Sequence, residues 1–243
     1  MPEPNSMPPA RNSRIRNASL RRPEGRTRTA KIATTASAPE EQPKTLAELN
    51  RAISAARPFV PGAMHAVLGE GPAGAAIAFV GEQPGDQEDL QGRPFVGPAG
   101  QLLNRAMSEA GIDRNRSYLT NAVKHFKFVQ RGKHRIHQKP TAGEIRHYRW
   151  WLDKELALVR PRLIVALGAT AVLALAGKSV PIARFRGEAD FAGRRGYITV
   201  HPSFLLRIPG RDAKRRAYDE FVADLRAIRA LAGSSVARQA STR

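Results

Sequence analysis

The sequence predicts an α/β fold of three layers (α/β/α), in which helices cover both faces of a central, mainly parallel four-stranded sheet. Four runs of strand length are apolar nearly throughout rather than alternating, which is typical of strands buried on both faces. These runs lie at residues 75–81, 118–123, 163–168 and 197–200. Helical patterns separate them along the chain, and strands that alternate with helices favour parallel pairing.

The helices are predicted from capping residues and from apolar positions that repeat at helical spacing. Thr45 followed three residues later by Glu48 forms a capping-box pattern, which predicts a first helix that ends near residue 56. Further helical patterns cover residues 98–110, 141–159, 169–176 and about 213–232.

The length of 243 residues suits one sizeable α/β domain with a tail. Residues 1–44 are rich in Pro, Ser, Thr and Arg, and we expect them to form a disordered basic tail. A transit peptide has a similar composition, but the lack of an amphipathic stripe favours a solvated tail. The domain is expected over 45–232, with a disordered C-terminal tail over 233–243.

The charge balance is strongly basic, with 40 Lys and Arg against 21 Asp and Glu and a formal net charge of +19. Such a balance indicates a polyanionic partner, nucleic acid first, although charge alone names no activity. No apolar run approaches the roughly 18 residues of a membrane span. The chain has no cysteine, which excludes disulfides and thiolate metal sites.

Polar clusters follow the predicted strands directly, at the edge where parallel α/β folds bind ligands. After the first strand, two glycines enclose Glu82, Gln83 and Pro84, and this loop is either a ligand loop or a tight strand-to-helix turn. Asn121 ends the second strand, either as a turn residue or as a reader of a base edge. His201 follows the fourth strand, where a capped strand-end histidine is the alternative to a functional one.

A basic segment follows the second strand. Residues 124–139 hold six Lys and Arg, no acids, and two interleaved aromatics, Phe126 and Phe128. Cations with aromatics suit single-stranded nucleic acid, and the alternative is a solvated loop. The segment also carries His125, His134 and His137, but without cysteines or a carboxylate cluster we expect no metal site there.

Four motifs in this order resemble the uracil-DNA glycosylase superfamily, and family 4 in particular. They are GEQPG at 81–85 with the acidic residues after it, RPFVG at 93–97, TNAVK at 120–124 and HPS at 201–203. The GEQPG variant, the run NAVKHFKF and the insertion GKHRIHQKP resemble the UdgX subgroup. The resemblance extends from about residue 47 to about residue 228.

The resemblance implies a uracil pocket. Phe95 would stack on a flipped uracil, and Asn121 would bond its Watson–Crick edge and reject cytosine. His201 would donate a hydrogen bond to uracil O2 while negative charge builds on the leaving base. The pocket would be bounded by Gly81, Gln83 and Asp86, and the Gln83 region would also hold uracil through its backbone and side chain.

The resemblance to UdgX further implies that His137 captures C1′ of the sugar and leaves the protein covalently bonded to DNA, in a single turnover. His134 is a rival nucleophile, although the Ile-His-x-x-Pro context favours His137. The attacking nitrogen must be neutral, and Glu82 is expected to orient the other nitrogen or to place a water. DNA contacts are implied for Lys133, Arg135, Lys139, Ser203, Leu206 and Arg207, with Leu205 beside them in a strand-wedging loop.

Members of family 4 and of the UdgX subgroup carry a four-iron four-sulfur cluster on cysteines. In this chain the corresponding positions hold Ser54, Arg57, His125 and Tyr148. Because a cluster needs thiolates, we expect no cluster and no other cofactor, with packing around Tyr148, Trp150 and Trp151 in its place.

Three functions remain open from the sequence. The first is a covalent trap that excises uracil, with single-stranded DNA preferred. The second is an ordinary uracil-DNA glycosylase that turns over, and the third is a non-catalytic single-strand binding module, against which the intact Phe95, Asn121 and His201 argue. Uracil-containing DNA is the expected partner of a monomer in the cytoplasm, associated with the nucleoid.

Overall fold

The computed structural model of the protein describes residues 42–60 and 62–240, with side chains as far as residue 234. The predicted disordered basic tail therefore lies almost wholly outside the described residues, and so do residues 241–243. The strands are β1 Ile77–Gly81, β2 Tyr118–Asn121, β3 Phe128–Arg131, β4 His134–His137, β5 Leu163–Leu167, β6 Gly187–Phe191 and β7 Arg194–Thr199. The helices are α1 Leu46–Ala55, α2 Asp86–Gln91, α3 Pro98–Glu109, α4 Ala142–Val159, α5 Ala169–Ala176, α6 Ile182–Phe185, α7 Pro202–Arg207 and α8 Arg211–Ala240, with a 3₁₀ turn at Arg114–Arg116.

Five strands form the central sheet in the order β2-β1-β5-β7-β6. The four predicted strands, β1, β2, β5 and β7, pair in parallel, which confirms a mainly parallel sheet. The predicted strand count was one too low, because β6 pairs antiparallel with β7 at the edge. Its first four residues alternate between partly exposed and exposed, only Phe191 is buried, and Glu188 and Asp190 give the strand the composition of a loop.

Two apolar cores, one on each face of the sheet, establish the three layers. Alternate residues of one strand belong to different cores, since Ala78 and Val80 face one side whereas Ile77 and Phe79 face the other. Helices α1, α4 and α5 contribute side chains to the first core, and α3 and α8 contribute to the second. Burial on both faces explains why these strands are apolar throughout.

The predicted helices are present, and the last one is longer than predicted. Helix α8 continues to Ala240, beyond the end expected near residue 232, so that 233–240 of the expected C-terminal tail is helical. A glycine such as Gly233 costs a helix only about 1 kcal/mol relative to alanine, which does not force an end. In the described part of the chain, no helix has the length and apolarity needed to cross a membrane.

The sheet brings four loops to one edge. Gly81 at the end of β1 lies opposite Asn121 at the end of β2, and Leu167 of β5 lies opposite Thr199 of β7. The loops that follow these strands therefore leave the sheet together, at its carboxyl edge.

Candidate functional site

A cavity of about 1080 Å³ opens at the carboxyl edge of the sheet. This volume reaches the upper end of what small-molecule sites enclose. Its walls come from all four strand-end loops and from the β3–β4 hairpin. Among the lining residues are Glu82, Gln83, Asp86, Phe95, Asn121, His137, Lys139, Thr170, Arg186, His201, Ser203, Phe204, Leu206 and Arg207. Of the predicted site residues, Gly81, Lys133 and Arg135 are not part of this lining.

The inner wall depends on two close approaches that only glycine allows. A Cβ at Gly81 would collide with the Asn121 side-chain oxygen and with the Phe95 ring, so Gly81 lets both side chains meet behind the cavity. A Cβ at Gly100 would collide with the Phe95 backbone. Phe95 itself has a φ of 57°, a left-handed conformation that is strained for a bulky residue. The fold thus holds the Phe95 ring in one place, 6.5 Å from the His201 ring.

Asn121 is buried, and a network of charged side chains inside the protein holds its backbone in place. The ammonium group of Lys124 donates to the Asn121 backbone carbonyl at 3.1 Å and to a carboxylate oxygen of Glu155 at 2.6 Å. Thr120 and Tyr118 also donate to the Glu155 carboxylate. Lys124 and Glu155 are both fully buried. The inclusion of Lys124 in a DNA-facing basic segment was therefore wrong.

His201 caps the N-terminus of α7 through its own ring. The Nδ1 atom accepts the backbone N–H of Ser203 at 3.2 Å, which requires the proton of the neutral ring to sit on Nε2. Desolvation lowers the pKa of His201 to about 4, against the opposing charge of Glu82. His201 is thus a neutral N–H donor at neutral pH.

The basic segment forms a β-hairpin, β3–β4, which the sequence analysis did not predict. Its strands are joined by the two residues Gly132 and Lys133. Because side chains alternate between the faces of a strand, Arg135 and His137 share one face of β4, whereas His134 lies on the other. His137 pairs with Phe128 at the base of the hairpin, and His134 lies at the exposed turn. Of the two candidate nucleophiles, His137 alone lines the cavity.

Arg135 fastens the hairpin to α2. Its guanidinium pairs with Asp86 at 2.6 Å and with the buried Asp89 at 2.5 Å. It also lies over the rings of Phe126 and Phe128, at 5.4 and 5.2 Å from their centroids. Its side chain is only 14% exposed. The structure therefore does not support Arg135 as a DNA contact. Asp86 lines the cavity, and one oxygen of its carboxylate holds the hairpin.

Gln83 fastens the base of the same hairpin. Its amide nitrogen donates to the carbonyls of Lys127 and Gln138, each at 3.1 Å, and its oxygen accepts the Lys127 N–H at 3.3 Å. The expectation that the Gln83 side chain holds uracil is not supported, because both ends of its amide bond the hairpin.

The hairpin places His137 against Glu82. The Nε2 atom of His137 lies 3.3 Å from a carboxylate oxygen of Glu82, and Thr170 donates to the other oxygen. Burial raises the pKa of Glu82, but the hydrogen bonds from His137 and Thr170 outweigh it, and the net shift is downward. His137 is 49% exposed, so its ring is open to the cavity. Thr170 was not predicted as a site residue, although it follows the third strand of the predicted set.

Helix α7 carries the outer wall of the cavity. Leu205 is fully buried, so its expected role in a wedge was wrong. Phe204 and Leu206 are instead exposed, by 49% and 39%. Arg207 donates to the Ser203 hydroxyl at 3.1 Å and lines the cavity together with Lys139. Lys133 is exposed at the hairpin turn.

The positions that correspond to the cluster ligands do not fit an iron–sulfur cluster. Ser54 and Arg57 are exposed, and neither offers a thiolate. The Tyr148 hydroxyl lies 2.7 Å from His125 Nδ1 and accepts the Phe59 N–H at 3.2 Å. Burial lowers the pKa of His125 to about 4. Within the described ranges, no group of three or more His, Cys, Asp or Glu could hold a metal ion.

The aromatic packing at this position differs in part from what we expected. Tyr148 takes part in it, together with His147, whose ring stacks on Phe59 at 4.1 Å. Trp150 and Trp151 instead pack edge to face against each other, with ring centroids 4.7 Å apart.

Comparison with known proteins identifies the family. Residues 68–226 match the Uracil DNA glycosylase superfamily. The chain is 40% identical over 154 residues to the type-4 uracil-DNA glycosylase of Thermotoga maritima, which covers 62% of this chain and 77% of that protein. It is 31% identical over 176 residues to the type-4 enzyme of Archaeoglobus fulgidus, which covers 69% and 82% of the two chains. The cavity at the carboxyl edge and these matches together place the chain in the uracil-DNA glycosylase superfamily, as a family 4-like member.

Proposed function

We propose that this protein excises uracil from DNA and then bonds His137 to C1′ of the deoxyribose, as expected for the UdgX subgroup. The observation that carries the proposal is the position of His137. It lines the same cavity as Phe95, Asn121 and His201, and its ring contacts Glu82 at 3.3 Å. The monomeric state and the location at the nucleoid in the cytoplasm stay predictions.

Uracil recognition follows from the inner wall. A uracil leaves the base stack at a cost of a few kcal/mol, and stacking on the fixed Phe95 ring offsets part of it. The Asn121 amide presents a donor and an acceptor to the Watson–Crick edge, which cytosine does not match because its amino group reverses the pattern. Lys124 holds the Asn121 backbone, so the amide is positioned before the base arrives.

Bond cleavage follows from His201. The bond between C1′ and uracil N1 breaks, its electron pair leaves with uracil, and C1′ becomes oxocarbenium-like. Negative charge spreads to uracil O2, where the neutral Nε2–H of His201 donates a hydrogen bond. A donor fixed before the reaction stabilises this charge without reorganisation, which is often the largest contribution to catalysis.

Capture of the sugar follows from the pair of Glu82 and His137. Glu82 accepts the N–H of the imidazole and leaves the other ring nitrogen with the lone pair that attacks C1′. The new C–N bond makes the ring an imidazolium, and its N–H proton passes to the Glu82 carboxylate. The product is a neutral N-alkyl imidazole, which is a poor leaving group, so the protein reacts once.

A preference for single-stranded DNA is supported by the rim of the cavity. Phe204 and Leu206 offer exposed apolar surface to unpaired bases, and Lys139 and Arg207 offer positive charge to phosphates. A single strand also lowers the cost of turning the uracil out of the stack.

A denaturing gel tests the proposal. The protein is mixed with a uracil-containing single strand, and we expect a shifted band that resists heat and SDS and that never exceeds one equivalent of protein. His137→Ser should lose the band while it still releases uracil, with water in place of the ring. His134→Ser is the matched control, and it should keep the band. Free abasic product in excess of enzyme, without a shifted band, would show an ordinary glycosylase instead.

A further inference from the structure

A second, basic groove lies on the other side of α7 from the site cavity. It has a volume of about 530 Å³ and is bounded by α3, α7 and the first turns of α8. Leu206 lines both the groove and the site cavity. The exposed Leu206 side chain is therefore a ridge between the place proposed for the flipped uracil and the groove.

The α8 wall of the groove is rich in cations. Arg211, Lys214 and Arg215 line it, and all three are exposed. Arg211 and Arg215 lie four residues apart on one face of the helix, so both guanidinium groups face the same strip of surface. The acid nearest to Arg215 is Asp219 at 3.9 Å, and because both side chains are mostly exposed this pair is weak and open to exchange for another anion.

The acid on the opposite wall is already engaged. Glu109 accepts a hydrogen bond from the Tyr218 hydroxyl at 2.7 Å. Arg105 donates to the same hydroxyl at 3.2 Å and lies over the Tyr218 ring, 4.8 Å from its centroid. Among the described residues, no ion pair joins Glu109 to Arg211 or Arg215, so Glu109 does not neutralise the charges of these two arginines.

A hydrogen bond joins the Leu206 ridge to the cationic wall formed by α8. The Lys214 ammonium donates to the Leu206 backbone carbonyl at 3.0 Å. This bond holds the end of α7 against the first turn of α8, so the position of Leu206 relative to the cationic wall is fixed.

We propose that this groove binds phosphates of the DNA backbone across the Leu206 ridge from the uracil cavity, with Arg211 and Arg215 as the principal contacts. The proposal rests on the proposed function, since that function brings DNA to the ridge. A flipped nucleotide in the cavity requires the rest of the DNA to continue past α7, and the groove is the surface next to the ridge on that side. Each phosphate contact releases counterions, so these two arginines should contribute to the salt dependence of binding.

Two double variants on the same helix test the proposal. Arg211→Gln with Arg215→Gln removes the groove charges, and Arg226→Gln with Arg229→Gln removes two exposed charges farther along α8. Both variants lower the net charge equally. Binding to uracil-free single-stranded and duplex DNA is measured by fluorescence anisotropy over a series of salt concentrations, with circular dichroism to confirm folding.

We expect the groove variant to lose about tenfold in affinity near physiological salt and to reduce the slope of log K against log salt by about 1.8 on duplex DNA, about 0.9 for each phosphate. The control variant should change affinity less than about twofold, as long-range charge alone would do. Equal losses in the two variants would overturn the proposal.

The two kinds of DNA identify which strand lies in the groove. A loss on duplex alone assigns the groove to the complementary strand, whereas a loss on both assigns it to the strand that carries the uracil. Release of uracil by the unmodified protein is measured in parallel. Its absence would contradict the proposed function, while the binding comparison still decides the groove.

Discussion

The basic segment 124–139 contains two kinds of residue that its composition does not distinguish. Lys124, His125 and Arg135 face inward, where they bond Glu155, Tyr148 and the pair of Asp86 and Asp89. Lys133, His134 and Lys139 face outward. The inward group supports the uracil pocket and the hairpin, and the outward group is available to DNA. A cationic segment therefore indicates a nucleic-acid surface only where its charges have no acidic partner inside the fold.

The largest effect is expected from breaking the inward ion pair. Lys124→Met leaves the Glu155 carboxylate buried without its cation, and removal of one partner from a buried pair costs about 3–5 kcal/mol. The free energy of unfolding, measured by urea denaturation, should fall by that amount. The double variant Lys124→Met with Glu155→Gln should recover most of the loss, because no unpaired charge remains. If Lys124→Met were as stable as the unmodified protein, Lys124 would not be the buried partner of Glu155.

A smaller and more specific effect is expected from Arg135. Arg135→Gln removes both ion pairs between the hairpin and α2, so His137 is held less firmly at Glu82, by the Gln83 bonds at the hairpin base. Adduct formation should slow by about tenfold to a hundredfold, as small misplacements of a reacting group do. Uracil release should change less, since Phe95, Asn121 and His201 lie on other elements.

Lys133→Gln is the outward counterpart of the Arg135 variant. It should leave the rate of adduct formation from bound DNA unchanged and should weaken DNA binding slightly. Adduct rates and binding constants for the two variants separate the roles. If Arg135→Gln weakened DNA binding as Lys133→Gln does and left the adduct rate unchanged, Arg135 would be a DNA contact after all.

Near neutral pH, the smallest effect is expected from the titration of His125. Burial lowers the pKa of His125 to about 4, below the ordinary histidine value of about 6.5. The unfolded chain therefore binds more protons than the folded one between these values, so this stabilising contribution is complete above about pH 6.5 and is lost as pH falls toward 4. His125→Gln should flatten the dependence of Tm on pH in this window, and the outward variant His134→Gln should not. Equal slopes of Tm against pH for the two variants would contradict the assignment of His125 to the interior and of His134 to the surface.

Burial lowers the pKa of His201 as well, and here the consequence concerns uracil excision rather than stability. Its pKa of about 4 keeps most of the His201 rings neutral down to about pH 5, so the neutral ring with its Nε2–H donor persists to that pH. Excision should therefore continue in mildly acidic solution, where an exposed histidine would already be charged.

Much of the fold and part of the site could be predicted from the sequence. The four parallel strands were recognised because strands covered on both faces must be apolar throughout. Strand β6 and the β3–β4 hairpin were missed because each has a face toward solvent, so their compositions match those of loops. Thr170 was missed because its role depends on Glu82, which is 88 residues away in the chain.

The amino-acid sequence was enough to establish that Glu82, Asn121 and His201 lie at one edge of a sheet. The reason is that parallel strands all end on the same side, so residues just past their ends must converge. It did not reveal whether Lys124 or Arg135 faces DNA or the interior. That depends on acids that the folded chain brings from α2 and α4, and a cation is buried only where such a partner offsets the loss of its hydration.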